Sequence, residues 1–100
     1  MEMREVVSGN IKAIGFDVTQ YEPDVKKESL GTVAIQFKSG TTYLYKNVPE
    51  NIYEQLLEAE SIGKFFAAEI KPVYKEVFKL VKPELPEGQE WDGKFMEVKV

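Results

Sequence analysis

The chain has 100 residues, 43% apolar and 30% charged, a length and balance that predict one globular domain burying about two thirds of the surface its unfolded chain exposes. It holds neither cysteine nor histidine, which excludes disulfides, thiolate nucleophiles, imidazole bases and ordinary zinc sites together. The 13 basic and 17 acidic side chains leave a net charge of −4, which disfavours a phosphate backbone unless the basic groups gather on one face.

In chain order, "NIKAIGFDV" (10–18) alternates loosely through Ile11, Ile14, Phe16 and Val18 and reads as a first strand, with Gly15 allowing a bulge. "TQYEPDVKKESLG" has no sustained period and reads as a long loop or hairpin tip. "TVAIQFK" then alternates cleanly, with Val33, Ile35 and Phe37 on one face and Ala34 and Gln36 on the other. Ser39-Gly40 is a two-residue hairpin signal that pairs Gln36 with Tyr43, Ile35 with Leu44 and Ala34 with Tyr45. The apolar face is then Val33, Ile35, Phe37 and Leu44, and Tyr43 and Tyr45 lie on the reverse side; a three-residue loop instead turns both tyrosines inward.

"VPENIYEQLLEAE" opens a helix whose Ile52, Tyr53, Leu56 and Leu57 recur at helical spacing. "SIGKFFAAEIK" predicts a short second helix capped by Ser61, with Gly63 breaking continuity with the first. "PVYKEVFKLVK" fits a third, amphipathic helix, with Val73, Tyr74, Val77, Phe78 and Val81 on one stripe and Lys71, Lys75, Lys79 and Lys82 opposite. "PELPEGQEWDG" is a turn-rich connection in which Trp91 is expected to be partly buried. "KFMEVKV" reads as a closing strand able to extend a sheet edge in this molecule or in a neighbour.

The expected architecture is α+β: a small antiparallel meander of about three strands, with the C-terminal segment as candidate fourth, packed against two or three helices on one face. No apolar run approaches the roughly 18 residues of a membrane span, and "MEMREVV" lacks a secretion signal's apolar stretch, so a soluble, cytoplasmic protein with no membrane partner is expected.

For Tyr43 and Tyr45 two readings stand: rings covering a small sheet with their hydroxyls in water, or a platform on which unpaired bases or a protein partner stack. The lysines Lys71, Lys75 and Lys79 are either a solvated helix face or phosphate contacts beside that platform. Glu50, Glu54 and Glu58 repeat every four residues, a spacing that solvated helix faces commonly show, so neither a metal nor a catalytic pair is assigned. No catalytic constellation, cofactor site or internal repeat is visible, and the chain reads as a non-enzyme.

Taken together, "VSGNIKAIGFD", "VAIQFKSGTTYLYKNVP" and "IYEQLLEAESIGKFF", followed by Ile70 and Tyr74, resemble the KTSC domain, a family named from the C-terminus of some lysyl-tRNA synthetases and also found as a free-standing small protein. Tyr43 and Tyr45 match the family's Tyr-x-Tyr signature, followed by Val48-Pro49, Ser61, Gly63 and Phe65-Phe66. The chain departs from the family pattern in a longer loop between its first two strands, in Ala67 where the family tends to have Asn, and in Phe16 where Tyr is usual. The resemblance implies a KTSC-like domain over residues 1–81, with 82–100 as an extension outside it. It also brings the RNA binding suggested for the family, with Tyr43, Tyr45, Lys71, Lys75 and Lys79 as candidate binding residues. The alternative is a protein-interaction or assembly adaptor using the tyrosine face or the C-terminal strand, as monomer or homodimer.

Overall fold

The computed structural model describes residues 2–24 and 28–100; part of the long loop predicted after the first strand, residues 25–27, lies outside them. The described residues form a six-stranded antiparallel sheet whose spatial order follows chain order: β1 (Met3–Glu5), β2 (Ile11–Gln20), β3 (Leu30–Phe37), β4 (Thr42–Pro49), β5 (Val77–Val81) and β6 (Met96–Lys99). Between β4 and β5 the chain forms α1 (Glu50–Glu58) and α2 (Ile62–Phe65), the latter running into a wider π-type turn over Phe66–Ile70. The architecture is α+β as expected, with more strands than the meander read from the sequence.

The helices cover one face of β2, β3 and β4, and the core lies between. Ile11, Ile14, Val33, Ile35 and Val48 contribute from the sheet, and Leu56, Ile62, Phe66 and Ile70 from the helical layer. Full burial of each such aliphatic side chain is worth about 1.5–3 kcal/mol, so this one layer supplies most of the drive to fold. α2 starts at Ser61, whose Oγ accepts the Lys64 N–H at 3.4 Å. That bond is long, so Ser61→Ala is expected to lower stability by about 0.5–1 kcal/mol in thermal or urea unfolding. Gly63 does not separate the helices: it lies within α2, where a Cβ would meet the Asn10 side chain at 3.3 Å and Ser8 Oγ at 3.5 Å. Its small size lets α2 sit against the turn that enters β2.

Three expectations are corrected. The hairpin joining β3 to β4 has a three-residue loop, Lys38–Ser39–Gly40: Phe37 N–H donates to Thr41 O and Gly40 N–H to Phe37 O, both at 2.9 Å. Gly40 takes φ +101° while Ser39 stays outside the left-handed region. A two-residue turn with Ser first would have forced a left-handed serine, whereas the longer loop puts the one left-handed position on glycine. The register therefore sets Val33 opposite Tyr45 and Ile35 opposite Tyr43, and both tyrosines face the helices. Leu44 goes with Ala34 to the reverse face.

Second, the predicted third helix is absent: the chain turns at residues 71–73 and enters β5. Val77, Phe78, Leu80 and Val81 satisfy a helical period, but they also suit a strand, and β4 offers them an unpaired ladder. Pairing with that edge wins. Third, an unpredicted strand, β1, pairs with β2 through Met3↔Gly15 and Glu5↔Ala13. The closing strand is present as β6, and Trp91 is partly buried, its Nε1–H donating to Lys94 O at 2.9 Å and its ring edge-on to Phe95.

Candidate functional site: an aromatic cleft rimmed by lysines

The three-residue hairpin loop and the β4–β5 pairing leave the inward side of the Tyr-x-Tyr segment only partly covered by helix, and an open cleft of about 410 Å³ results. Its floor is Tyr45 and Phe66, both buried, with ring centroids 5.3 Å apart in an edge-on contact. Phe37 stands edge-on to Phe66 and to Tyr43, in each case at 5.9 Å. Edge-to-face contacts of this kind are worth about 0.5–1.5 kcal/mol each beyond area burial, so they hold the aromatic wall together. Tyr74 closes the helical side, and Val77 and Val100 the side of β5 and β6.

Lys71 and Lys75 line the mouth. The wide turn puts them there: Lys71 N–H reaches back five residues to Phe66 O at 2.9 Å, and Tyr74 N–H donates to Ile70 O at 3.0 Å. Turns of this width recur at functional sites because they rotate the side chains that follow them out of helical step. Here Ile70 stays fully buried while Lys71 is exposed. Among the described residues neither Lys71 nor Lys75 is in an ion pair; the pairs present are Lys46–Glu97 and Lys99–Glu76, each at 2.8 Å.

The Tyr45 and Tyr74 hydroxyls stay neutral at physiological pH. Burial pushes Tyr45 above the usual phenol range, with neighbouring Tyr43 adding to the effect. Burial does the same to Tyr74, reinforced by the negative charges of Glu28 and Glu69. Neutral phenols serve as hydrogen-bond donors and acceptors; a phenolate nucleophile or base would need the opposite shift. Among the described residues no cluster of acidic side chains is arranged to hold a metal ion, and no helix is long and apolar enough to cross a membrane.

Of the residues picked out from the sequence, Tyr43, Tyr45, Lys71 and Lys75 line this one cleft. Lys79 lies on β5 directly opposite Tyr43, beside the cleft but not lining it. The even lysine stripe does not exist, because the segment is not one helix; Lys82 instead sits 4.9 Å above the Trp91 ring. Tyr74, Phe37 and Phe66, which the sequence pattern assigns to the fold, complete the cleft. The signal available for Tyr74 was its position between Lys71 and Lys75, the only place in the chain where a tyrosine is flanked so closely by two lysines across a turn-forming proline.

A family model for the KTSC domain matches residues 7–74. A protein of Tsukamurella paurometabola is 35% identical over 75 residues, which are 75% of this chain and 97% of that one. An uncharacterized protein of Stutzerimonas stutzeri is 27% identical over 73 residues, 73% of this chain and 89% of its own. The crystal structure of a KTSC domain protein from Yersinia pestis superimposes with a TM-score of 0.56 at 27% identity, covering 99% of this chain and 96% of that one.

Proposed function

The chain belongs to the KTSC domain family, and from that premise we propose that it is a non-enzymatic binding module that receives an unpaired RNA base in the aromatic cleft. The observation that carries this reading is the convergence of three tyrosines and two lysines, which among the described residues form no ion pair, on one cleft of about 410 Å³. Its volume falls within the range of small-ligand sites, roughly 300–1,000 Å³. Tyr45 is too buried to be an open stacking surface, so the base enters edge-first between Tyr43 and Tyr74 and sits on a floor of rings. Lys71 and Lys75 then contact the flanking phosphates, and the phenol hydroxyls bond to the base edge. With a net charge of −4, attraction is local to this mouth and binding is strongest at low salt.

The test is a titration of an unstructured single-stranded RNA oligomer across a range of salt concentrations. Each single-strand phosphate contact contributes about 0.7 to the slope of log affinity against log salt, so the Lys71→Ala, Lys75→Ala double variant is expected to flatten that slope by about 1.4. Tyr74→Leu, which keeps an apolar wall but removes the ring, is expected to weaken binding by about tenfold with the slope intact. Absence of binding at low salt would reject the reading. A second reading, in which a protein partner places an apolar side chain in the cleft, draws on the Phe37, Phe66, Val77 and Val100 lining. Affinity for such a partner would barely respond to salt.

A further inference from the structure

The strand β6 ends the sheet with no described residue paired to its outer side, and every residue in it is exposed. Val100 N–H donates to Val77 O at 3.0 Å, and direct opposites in an antiparallel ladder alternate between bonded and non-bonded pairs. Met96, Val98 and Val100 therefore direct their backbone groups toward β5, and Glu97 and Lys99 direct theirs outward. Protein edges are usually blunted by charge or shortness. This edge carries Glu97 and Lys99 on the face away from the helices, and on the other face apolar Met96, Val98 and Val100, which are 50%, 42% and 71% exposed.

We propose that β6 pairs antiparallel with β6 of a second copy of this chain, Val98 opposite Val98, to make one continuous sheet about a twofold axis. The register follows by elimination. Outward backbone groups must meet outward ones, and Glu97 and Lys99 are the two outward residues of β6, so the symmetric registers that oppose them to themselves or to each other centre on Glu97, Val98 or Lys99. Centring on Glu97 opposes two carboxylates, and centring on Lys99 opposes two ammonium groups. Centring on Val98 places Glu97 opposite the second copy's Lys99, and the reverse, with both residues bonded through their backbones. On the other face Val98 meets Val98 and Met96 meets Val100.

The ion pairs within each chain support this arrangement. Glu97 is bound by Lys46 and Lys99 by Glu76, each at 2.8 Å. Across the axis the charges then run Lys46, Glu97, Lys99 of the second copy and Glu76 of the second copy, alternating in sign. Such a network is stronger than its isolated surface pairs. A four-residue strand buries less than a standard interface, so the dimer is reversible and dependent on concentration. It places both helical layers on the same side of the joined sheet, and the two clefts, each bounded by Val100, open on that side.

Sedimentation velocity of the full chain over a wide concentration range tests the proposal independently of any RNA binding. The wild type is expected to shift from monomer toward dimer as concentration rises. Glu97→Lys and Lys99→Glu each replace two attractive cross-strand pairs by two repulsive ones and are expected to weaken association about tenfold or more. Mixing the two variants opposes unlike charges at every pair and is expected to restore association, as is the Glu97→Lys, Lys99→Glu double variant. Both positions are exposed, so circular dichroism should report an unchanged fold. A wild type that stays monomeric at every concentration overturns the proposal, and so does a mixture that associates no better than its components.

Discussion

Phe66→Ala is expected to cost about 3–5 kcal/mol, the range for removing a buried aromatic ring from a packed core. The ring is 6% exposed and stands edge-on to both Phe37 and Tyr45, so truncation opens a cavity and also cancels two aromatic contacts. Relaxation into the space is limited because Tyr45 is fixed in β4 and Phe37 ends β3 beside the hairpin loop. Against a total stability of about 5–15 kcal/mol the loss is a large fraction. Urea unfolding should show it as a lower midpoint with an unchanged slope, and Phe66→Leu should retain more of the stability. A loss below about 1 kcal/mol would mean that the aromatic wall is held by other contacts.

Gly31→Ala is expected to destabilise by about 1–3 kcal/mol for a reason unrelated to turn geometry. A Cβ built on Gly31 lies 2.5 Å from the backbone oxygen of Asp17 and 2.5 Å from the Phe16 ring tip. The ring of Phe16 lies across this bare backbone with its other side stacked on Tyr53, centroids 5.0 Å apart and planes at 17°. An alanine there must push the ring off its seat or part β2 from β3. Near-UV circular dichroism should register the lost Phe16–Tyr53 stack together with the fall in unfolding midpoint. Gly9→Ala is the control: a Cβ there meets nothing within 4 Å, and a change within about 0.5 kcal/mol is expected.

Elements whose side chains are forced to alternate, or to recur every turn, were legible in the sequence: β3, β4, α1, the Ser61 start of α2 and the closing strand. β1 was not, because a Met-Arg-Glu tripeptide carries no period and pairs only because β2 offers it a ladder. β5 is illegible for the opposite reason, since its residues fit two periods and β4, a strand distant in sequence, makes the choice. The candidate site shows the same division. Tyr43, Tyr45, Lys71 and Lys75 could be named from residue type and from the family signature, but the face the tyrosines occupy turned on a single residue of loop length. That detail was decided by Gly40, and by the absence of a second residue suited to a left-handed turn.

Strand order that follows chain order has a kinetic consequence. β2–β3 and β3–β4 are neighbours in sequence, so each can zip from a short loop with little closure entropy, and β1 can add to the growing edge by a short return. The junction of β4 with β5 is different, because residues 50–76 must first fold into the helical layer before their ends can meet. Collapse of that layer onto β2–β4 and capture of β5 are therefore expected to be the late, rate-setting events, with β6 following as a local hairpin. The β6 edge is the last to form, so a folding chain presents no β6 edge to another molecule until its own core is complete.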